Sequence, residues 1–362
     1  MRRVSAFHRP WLHLTEENIL YTRRTDSTMY TMNKKGTFLI MIRIGIVGYG
    51  NLGQGVAKAV GVCPDMELKA VFTRRDPGLI KITDSGVAVL PVDSAVDMAD
   101  DIDVMVLCGG SASDLPEQGP FFASMFNTVD SYDTHAMIPG YMASIDAVAK
   151  NKTAIISSGW DPGLFSIMRV LFEAVLPDGD NYTFWGEGLS QGHSDAIRRI
   201  EGVLYAAQYT IPVESAVDSV RSGMRPVLET RQKHLRRCFV VAEDSADKSE
   251  IENAIITMPH YFADYDTSVC FIDTDEFIKN HTEMPHGGMI LRSGGTGSHN
   301  QHMEFSLKLE SNPEFTGSVL TAYARAAYRM SREGLFGAKT VFDVPLSYLE
   351  AKDRLDLIRE LL

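Results

Sequence analysis

The stretch Ile42 to Gly53, IRIGIVGYGNLG, restricts the fold more than any other part of this 362-residue chain. Ile42, Ile44, Ile46 and Val47 make the β-branched apolar run that a buried parallel strand requires. The run breaks into Gly48-Tyr49-Gly50-Asn51-Leu52-Gly53, and Gln54 to Val60 reads as helix. In that strand–turn–helix context Gly48 permits a tight turn. Gly50 sets no side chain in the way of a pyrophosphate, and Gly53 lets the helix pack close to the strand. The helix N-terminus offers N–H groups to phosphate. A glycine turn without ligand has the same spacing, but the flanking strand and helix favour dinucleotide binding.

A second strand, Leu68 to Phe72, ends at Thr73-Arg74-Arg75. In a dinucleotide-binding sheet this end meets the adenosine ribose, where an acid would favour NAD. Two arginines suit a 2′-phosphate instead, although such a pair also occurs as plain solvated surface. Asp76 lies one step too far to be taken for the NAD acid. Ile102 to Leu107 reads as a third buried strand ending in Cys108-Gly109-Gly110-Ser111, small residues that let a loop approach the cofactor. Thr128 to Tyr132 is a short strand ending at Asp133. Helix 139–150 is amphipathic, and Thr153 to Ser157 leads into Ser158-Gly159-Trp160-Asp161-Pro162-Gly163. Strands alternating with helices, and carrying small or polar residues at their ends, predict an α/β fold: a Rossmann-type doubly wound parallel sheet.

Length allows two domains. The second half has alternating or isolated strands at Thr183–Gly186, Cys238–Ala242 and His302–Leu309, which predicts an α+β second domain with an antiparallel or mixed sheet. Glycine-rich loops are expected at Pro285–Gly288 and Gly294–Gly297, and a long helix from Gly317 to Gly334. The expected divisions are 41–160 for the dinucleotide, 161–312 for substrate binding and dimerisation, and 313–362 as a helical segment packing back on the nucleotide domain. Residues 1–40 carry seven Lys/Arg against three Asp/Glu in a chain of net charge −12, leaving about −16 on the rest. They show no sustained period, and Met41 directly precedes the first strand; they are expected to be a disordered extension or an upstream misreading of the gene.

The acidic balance argues against nucleic-acid binding, and no apolar run is long enough to span a bilayer. Cys63, Cys108, Cys238 and Cys270 fit neither a zinc motif nor a disulfide scaffold, which points to reduced cytosolic thiols. His281, His286, His299 and His302 match no metal-ligand spacing, so no metal is expected. Asp133 and Asp161, at neighbouring strand ends, are the candidates to take a proton or hold an ammonium during hydride transfer. Trp160 and Trp185 are read as core or ligand wall. In the polar turn Gln191–Asp195, a His193–Asp195 dyad is disfavoured by its i, i+2 spacing. Arg231, His234, Arg236 and Arg237 read as a solvated charge run, with a carboxylate clamp as the alternative.

With these residues in view, the chain from Met41 onward resembles the meso-diaminopimelate dehydrogenase family. The resemblance rests on VGYGNLG, FTRRD, LCGGSASDLPEQ, VDSYDTH, SSGWDPG, FWGEGLSQGHSDAIRRI, MPHYF and MPHGG. It implies NADP-dependent oxidative deamination of the D-centre of meso-2,6-diaminopimelate to L-2-amino-6-oxopimelate and ammonia. The reaction is reversible and serves lysine biosynthesis in a cytoplasmic homodimer. By the same resemblance Tyr49, Gly50, Asn51 and Leu52 line the pyrophosphate, while Thr73, Arg74 and Arg75 hold the 2′-phosphate. Cys108, Gly109, Gly110 and Ser111, with Ser131 and Tyr132, border the nicotinamide. Ser158, Gly159, Trp160 and Pro162 are counted with the cofactor contacts. Asp133 and Asp161 meet the reacting centre beside Trp185, with Gln191 nearby. Thr210, Arg236, His286 and Asn312 hold the far end, Arg237 being the alternative to Arg236. Competing readings are a broad D-amino-acid dehydrogenase, a relative of dihydrodipicolinate reductase, and an NADP-binding sensor without turnover.

Overall fold

The computed structural model describes residues 40–82 and 86–362, together with the backbone of short strands between His13 and Ile40. The disorder expected of residues 1–40 concerns a segment most of which lies outside the described residues. The chain divides into two compact units, Met1–Leu164 with Thr316–Leu362, and Phe165–Phe315.

The first unit is built on a seven-stranded parallel sheet. Its strands are β1 (Ile42–Val47), β2 (Met66–Thr73), β3 (Ala88–Pro91), β4 (Val104–Leu107), β5 (Asn127–Asp130) and β6 (Thr153–Ile155), with Gly337–Lys339 as the last. Their order across the sheet is Gly337–Lys339, β6, β5, β4, β1, β2, β3. All neighbouring pairs are parallel. Such strands are covered on both faces and must be apolar throughout. Every residue of β4 is buried, and Phe72, Met105, Leu107, Phe122, Phe126 and Ile145 share one core cluster.

Two strands stop earlier than their sequences suggest. β5 ends at Asp130, not Tyr132, because the Asp130 carboxylate accepts from the Tyr132 N–H at 3.0 Å and turns the chain out of the ladder. β6 ends at Ile155, and the Ser157 N–H also donates to Asp130. Residues 131–133 and 157–161 are therefore loop.

The long helix runs from Asn312 to Arg332, starting five residues before the expected Gly317. Ser311 caps it through its Oγ to the Glu314 N–H, and Pro313 sits in the first turn, where its missing N–H costs nothing. Gly334 has φ +75° and Leu335 N–H returns to Met330 O, which closes the helix end. Arg325 of this helix makes a buried bidentate pair with Asp65 at 2.6 and 2.7 Å.

The second unit holds two sheets. β7 (Gly179–Trp185), β12 (His286–Thr296) and β13 (His299–Leu309) pair antiparallel. β8 (Gly188–Leu189), β9 (Val203–Pro212), β10 (His234–Ala242) and β11 (Asp266–Phe271) form a mixed sheet, parallel only between β10 and β11. The glycine-rich loops expected around 287 and 294 are instead the central strand β12. Glycine is required there by the neighbouring strand: a Cβ on Gly288 would stand 2.5 Å from Phe184 O, and one on Gly294 2.1 Å from Asp178 O. The solvated charge run expected at 231–237 is also corrected. From His234 the chain is strand, so His234, Arg236 and Cys238 turn inward while Leu235 and Arg237 face out.

Candidate active site

In the first unit, the carboxyl edge of the sheet carries a cavity of about 270 Å³. Of the residues assigned to the cofactor, Gly48, Tyr49, Gly50, Thr73, Arg74, Arg75, Cys108, Gly109 and Gly110 line it. Gly48 has φ +89°, and a Cβ on Gly53 would lie 2.1 Å from Gly48 O, so both glycines are imposed by the turn. The helix Asn51–Val62 carries no side-chain cap at Gly50, where an added Cβ would meet nothing within 4 Å. The approach to this helix end is thus open to an anion. Thr73 is buried and its Oγ1 accepts from Arg75 N–H at 3.0 Å. Arg75 Nη2 donates to Tyr49 O at 2.6 Å, which ties the second strand end to the glycine turn. Arg74 pairs with Asp114 at 2.8 Å, and Asp114 also accepts from Gly110 N–H.

Asn51, Leu52, Gly53, Ser111, Ser131, Tyr132, Asp133 and the stretch Ser158–Pro162 lie in this unit but do not line that cavity. Ser111 Oγ accepts from Asp133 N–H at 3.2 Å, joining the loops after β4 and β5. The loops after β5 and β6 also touch: a Cβ on Gly159 would lie 3.6 Å from Ser131. Asp133 is exposed, Asp161 half-buried, and Trp160 buried.

In the second unit, the register β9 to β10 sets Thr210 opposite Arg236, and the Arg236 guanidinium donates to Thr210 Oγ1. Arg236 is 7% exposed, and its Cζ stands 3.9 Å over the Tyr265 ring. Burial pulls its pKa down, with Tyr265 opposing. Gly188 pairs with Thr210 and abuts His286, whose pKa is lowered chiefly by burial. Gln191 Nε2 reaches Met284 Sδ at 2.8 Å and Asn312 N–H donates to Met284 O at 2.9 Å. Trp185 stacks on His234 at 5.3 Å and donates its main-chain N–H to His234 Nε2 at 2.8 Å. Burial, then Arg236, lowers the His234 pKa to about 4. Thr210 thus meets Arg236 directly, Gly188 lies between Thr210 and His286, His234 carries Trp185, and Met284 joins Gln191 to Asn312, whereas Arg237 stands on the opposite strand face. His193 and Asp195 form no dyad: His193 Nδ1 bonds Ser190 Oγ at 2.7 Å and Asp195 pairs with Arg198.

Several contributors escape sequence reasoning. Gln208 is fully buried and reaches Thr210 Oγ1 at 3.4 Å, Tyr265 lies under the Arg236 guanidinium, and Met284 stands between Gln191 and Asn312. The alternation HLRRCFVVA was the available signal for His234 and Arg236. Nothing local marks Gln208, Tyr265 or Met284; strand register brings Gln208 to the site, and Tyr265 and Met284 lie in the segments leading into β11 and β12. Among the described residues no cluster could hold a metal ion, and no helix is long and apolar enough to cross a membrane.

A parallel sheet with this glycine turn, a cavity at its carboxyl edge and acids in the loops after two adjacent strands defines a dinucleotide-dependent oxidoreductase. Residues 159–311 match the family model of the diaminopimelic acid dehydrogenase C-terminal domain. The meso-diaminopimelate D-dehydrogenase of Lysinibacillus sphaericus is 60% identical over 324 residues, covering 89% of this chain and 99% of that protein. The chain belongs to the meso-diaminopimelate D-dehydrogenase family. Among solved structures, a sixfold mutant of the Clostridium tetani E88 enzyme with DAP has a TM-score of 0.84 at 52% identity, over 89% of this chain and 100% of its own. An engineered D-amino acid dehydrogenase bound to NADP+ has a TM-score of 0.78 at 46% identity, over 89% and 99%.

Proposed function

We propose that the protein oxidatively deaminates the D-centre of meso-2,6-diaminopimelate with NADP, giving L-2-amino-6-oxopimelate and ammonia, and catalyses the reverse amination. The observation that carries the substrate reading is Arg236. A buried guanidinium whose Nε has no hydrogen-bond partner, beside Thr210 and a buried Gln208 whose Oε1 is likewise unpartnered, suits a substrate carboxylate and ammonium. Family membership supplies the identity of the diacid.

The residues of the first unit fit the cofactor. The uncapped helix end with open space at Gly50 suits a pyrophosphate, and exposed Arg74 and Arg75 suit a 2′-phosphate. NADP, when bound, accepts the hydride. Arg236 and Thr210 bind the carboxylate remote from the reaction, with His286 and Asn312 beside them. Asp133 and Asp161 hold the reacting ammonium and take up the proton released there; water then replaces nitrogen at that carbon and ammonia leaves. Fixing the L-end leaves only the D-centre hydrogen in a productive position.

The test is NADPH formation with the meso, LL and DD isomers in parallel, with D-alanine and D-lysine alongside. Turnover confined to the meso isomer, with NADP much preferred to NAD, is expected. Comparable rates on D-alanine or D-lysine would replace the assignment with a broad D-amino-acid dehydrogenase. NADPH binding without turnover would replace it with a sensor.

A further inference from the structure

We propose that Asp130 is a positioning residue for the reaction: one buried carboxylate clasps the two loops that carry Asp133 and Asp161. The inference rests on the reading above, in which those two acids serve the reacting centre. Asp130 is the last residue of β5 and is 1% exposed. Its Oδ1 accepts the Tyr132 N–H at 3.0 Å and the Ser157 N–H at 3.1 Å. Its Oδ2 accepts the Tyr141 hydroxyl at 2.8 Å. Its main-chain oxygen accepts both the N–H of Ser158 at 3.0 Å and its Oγ at 2.9 Å. Tyr132 adjoins Asp133, and Ser158 stands three residues before Asp161.

Three further observations show that the clasp is built rather than incidental. Ser157 sits at φ +53°, a left-handed conformation that is unfavourable for a serine and persists only where neighbours impose it. The Tyr132 and Tyr141 rings stack at 4.2 Å, so the partner on Oδ2 also packs on the residue bonded to Oδ1. Among the described residues no cation pairs with Asp130, and burial pushes its carboxyl up to about 6. A carboxylate held that way is costly, and an apolar residue would serve mere packing better. The return is geometric. Two loops from adjacent strands share one acceptor, so their register to each other is set within a hydrogen-bond length. A displacement of about 1 Å in such groups can cost about 100-fold in rate.

The experiment compares wild type with Asp130→Ala, Asp130→Asn and Tyr141→Phe. It measures kcat and KM for meso-diaminopimelate, NADPH affinity by fluorescence titration, and amide hydrogen exchange over 131–133 and 157–161. Asp130→Ala is expected to lower kcat about 100-fold while NADPH affinity changes less than about threefold, and to speed exchange in both loops. Asp130→Asn is expected to recover to within about tenfold of wild type, because an amide oxygen can accept both N–H groups and its NH₂ can donate to Tyr141. Unchanged kcat with unchanged exchange in Asp130→Ala would overturn the inference. So would parallel loss of kcat and NADPH binding in both Asp130 variants, the mark of a structural residue. If the alanine variant does not fold, Tyr141→Phe decides: faster exchange in both loops with a kcat about threefold or more down supports the clasp, and wild-type values refute it. Wild-type protein that fails to turn over meso-diaminopimelate would overturn the reaction, while the exchange data would still decide the clasp.

Discussion

The groups proposed to meet ligands in the first unit are main-chain atoms and loop side chains at the ends of buried parallel strands, whereas those proposed in the second unit are mostly side chains standing on strand faces. Gly48–Gly53 and Cys108–Ser111 offer backbone, and Arg74, Arg75 and Asp133 are exposed. Arg236, Thr210, His234 and Gln208 are buried, and Thr210 bonds both Arg236 and Gln208. The contrast suits the ligands proposed for each unit. Phosphates are met adequately by backbone N–H groups and mobile arginines. Distinguishing one diacid from its stereoisomers requires buried polar groups, because a wrong ligand leaves them unsatisfied.

Substitutions in the two units should therefore separate cofactor from substrate. The largest effect is expected at Arg236→Met: kcat/KM for meso-diaminopimelate falls by about 3 kcal/mol, roughly 150-fold, while NADPH affinity stays within about twofold. A matching loss of NADPH binding would break the comparison. Replacing Arg74 and Arg75 together by alanine should reverse the pattern. NADP preference over NAD drops about 10- to 100-fold, each charge-assisted bond being worth about 1.5–3 kcal/mol before solvent screening, and substrate KM at saturating cofactor moves little.

Acid response offers a third, smaller contrast. His234 is held at about 4, below its usual 6.5, so the unfolded chain binds the extra proton between those values. Its stabilisation is full above pH 6.5 and is lost as pH falls towards 4, by up to about 3 kcal/mol. Asp130 runs the other way. Its folded value of about 6 lies above the usual 3.8, so its contribution is full below about 4 and is lost as pH rises through 6. Urea unfolding between pH 4 and 7 should show His234→Gln flattening the acid loss and Asp130→Asn steepening it; like effects of the two variants would contradict the assignment. The smallest effect is expected at Arg237→Ala, on the outer face of β10, which should leave kcat/KM within about twofold. A loss as large as that at Arg236 would move the clamp to the other strand face.

Arg236 and Arg237 also show where sequence reasoning stops. Both are arginines in one basic run, and composition favours solvent for each. Strand period separates them, but only once β10 is known to begin at His234. The glycines of β12 mislead in the same direction: Gly287, Gly288, Gly294 and Gly295 resemble loop punctuation, yet the close approach of flanking strands is what demands them at 288 and 294. In the first unit most local signals agree with the fold, the early ends of β5 and β6 being exceptions. The Ile42–Gly53 turn, the apolar strands and the arginines after β2 lie on contiguous sequence, so their geometry follows from short-range chemistry.

By itself the sequence determined the parallel sheet, the glycine turn and the position of two arginines at a strand end, because apolar runs and φ-permissive residues act within a few positions of themselves. Only the tertiary structure decided that Asp130 reaches Ser157 across 27 residues, or that Thr210 meets Arg236 across 26 residues. Those pairings arise from strand order and register. Both are set by burial of whole sheet faces and not by any residue at the contact.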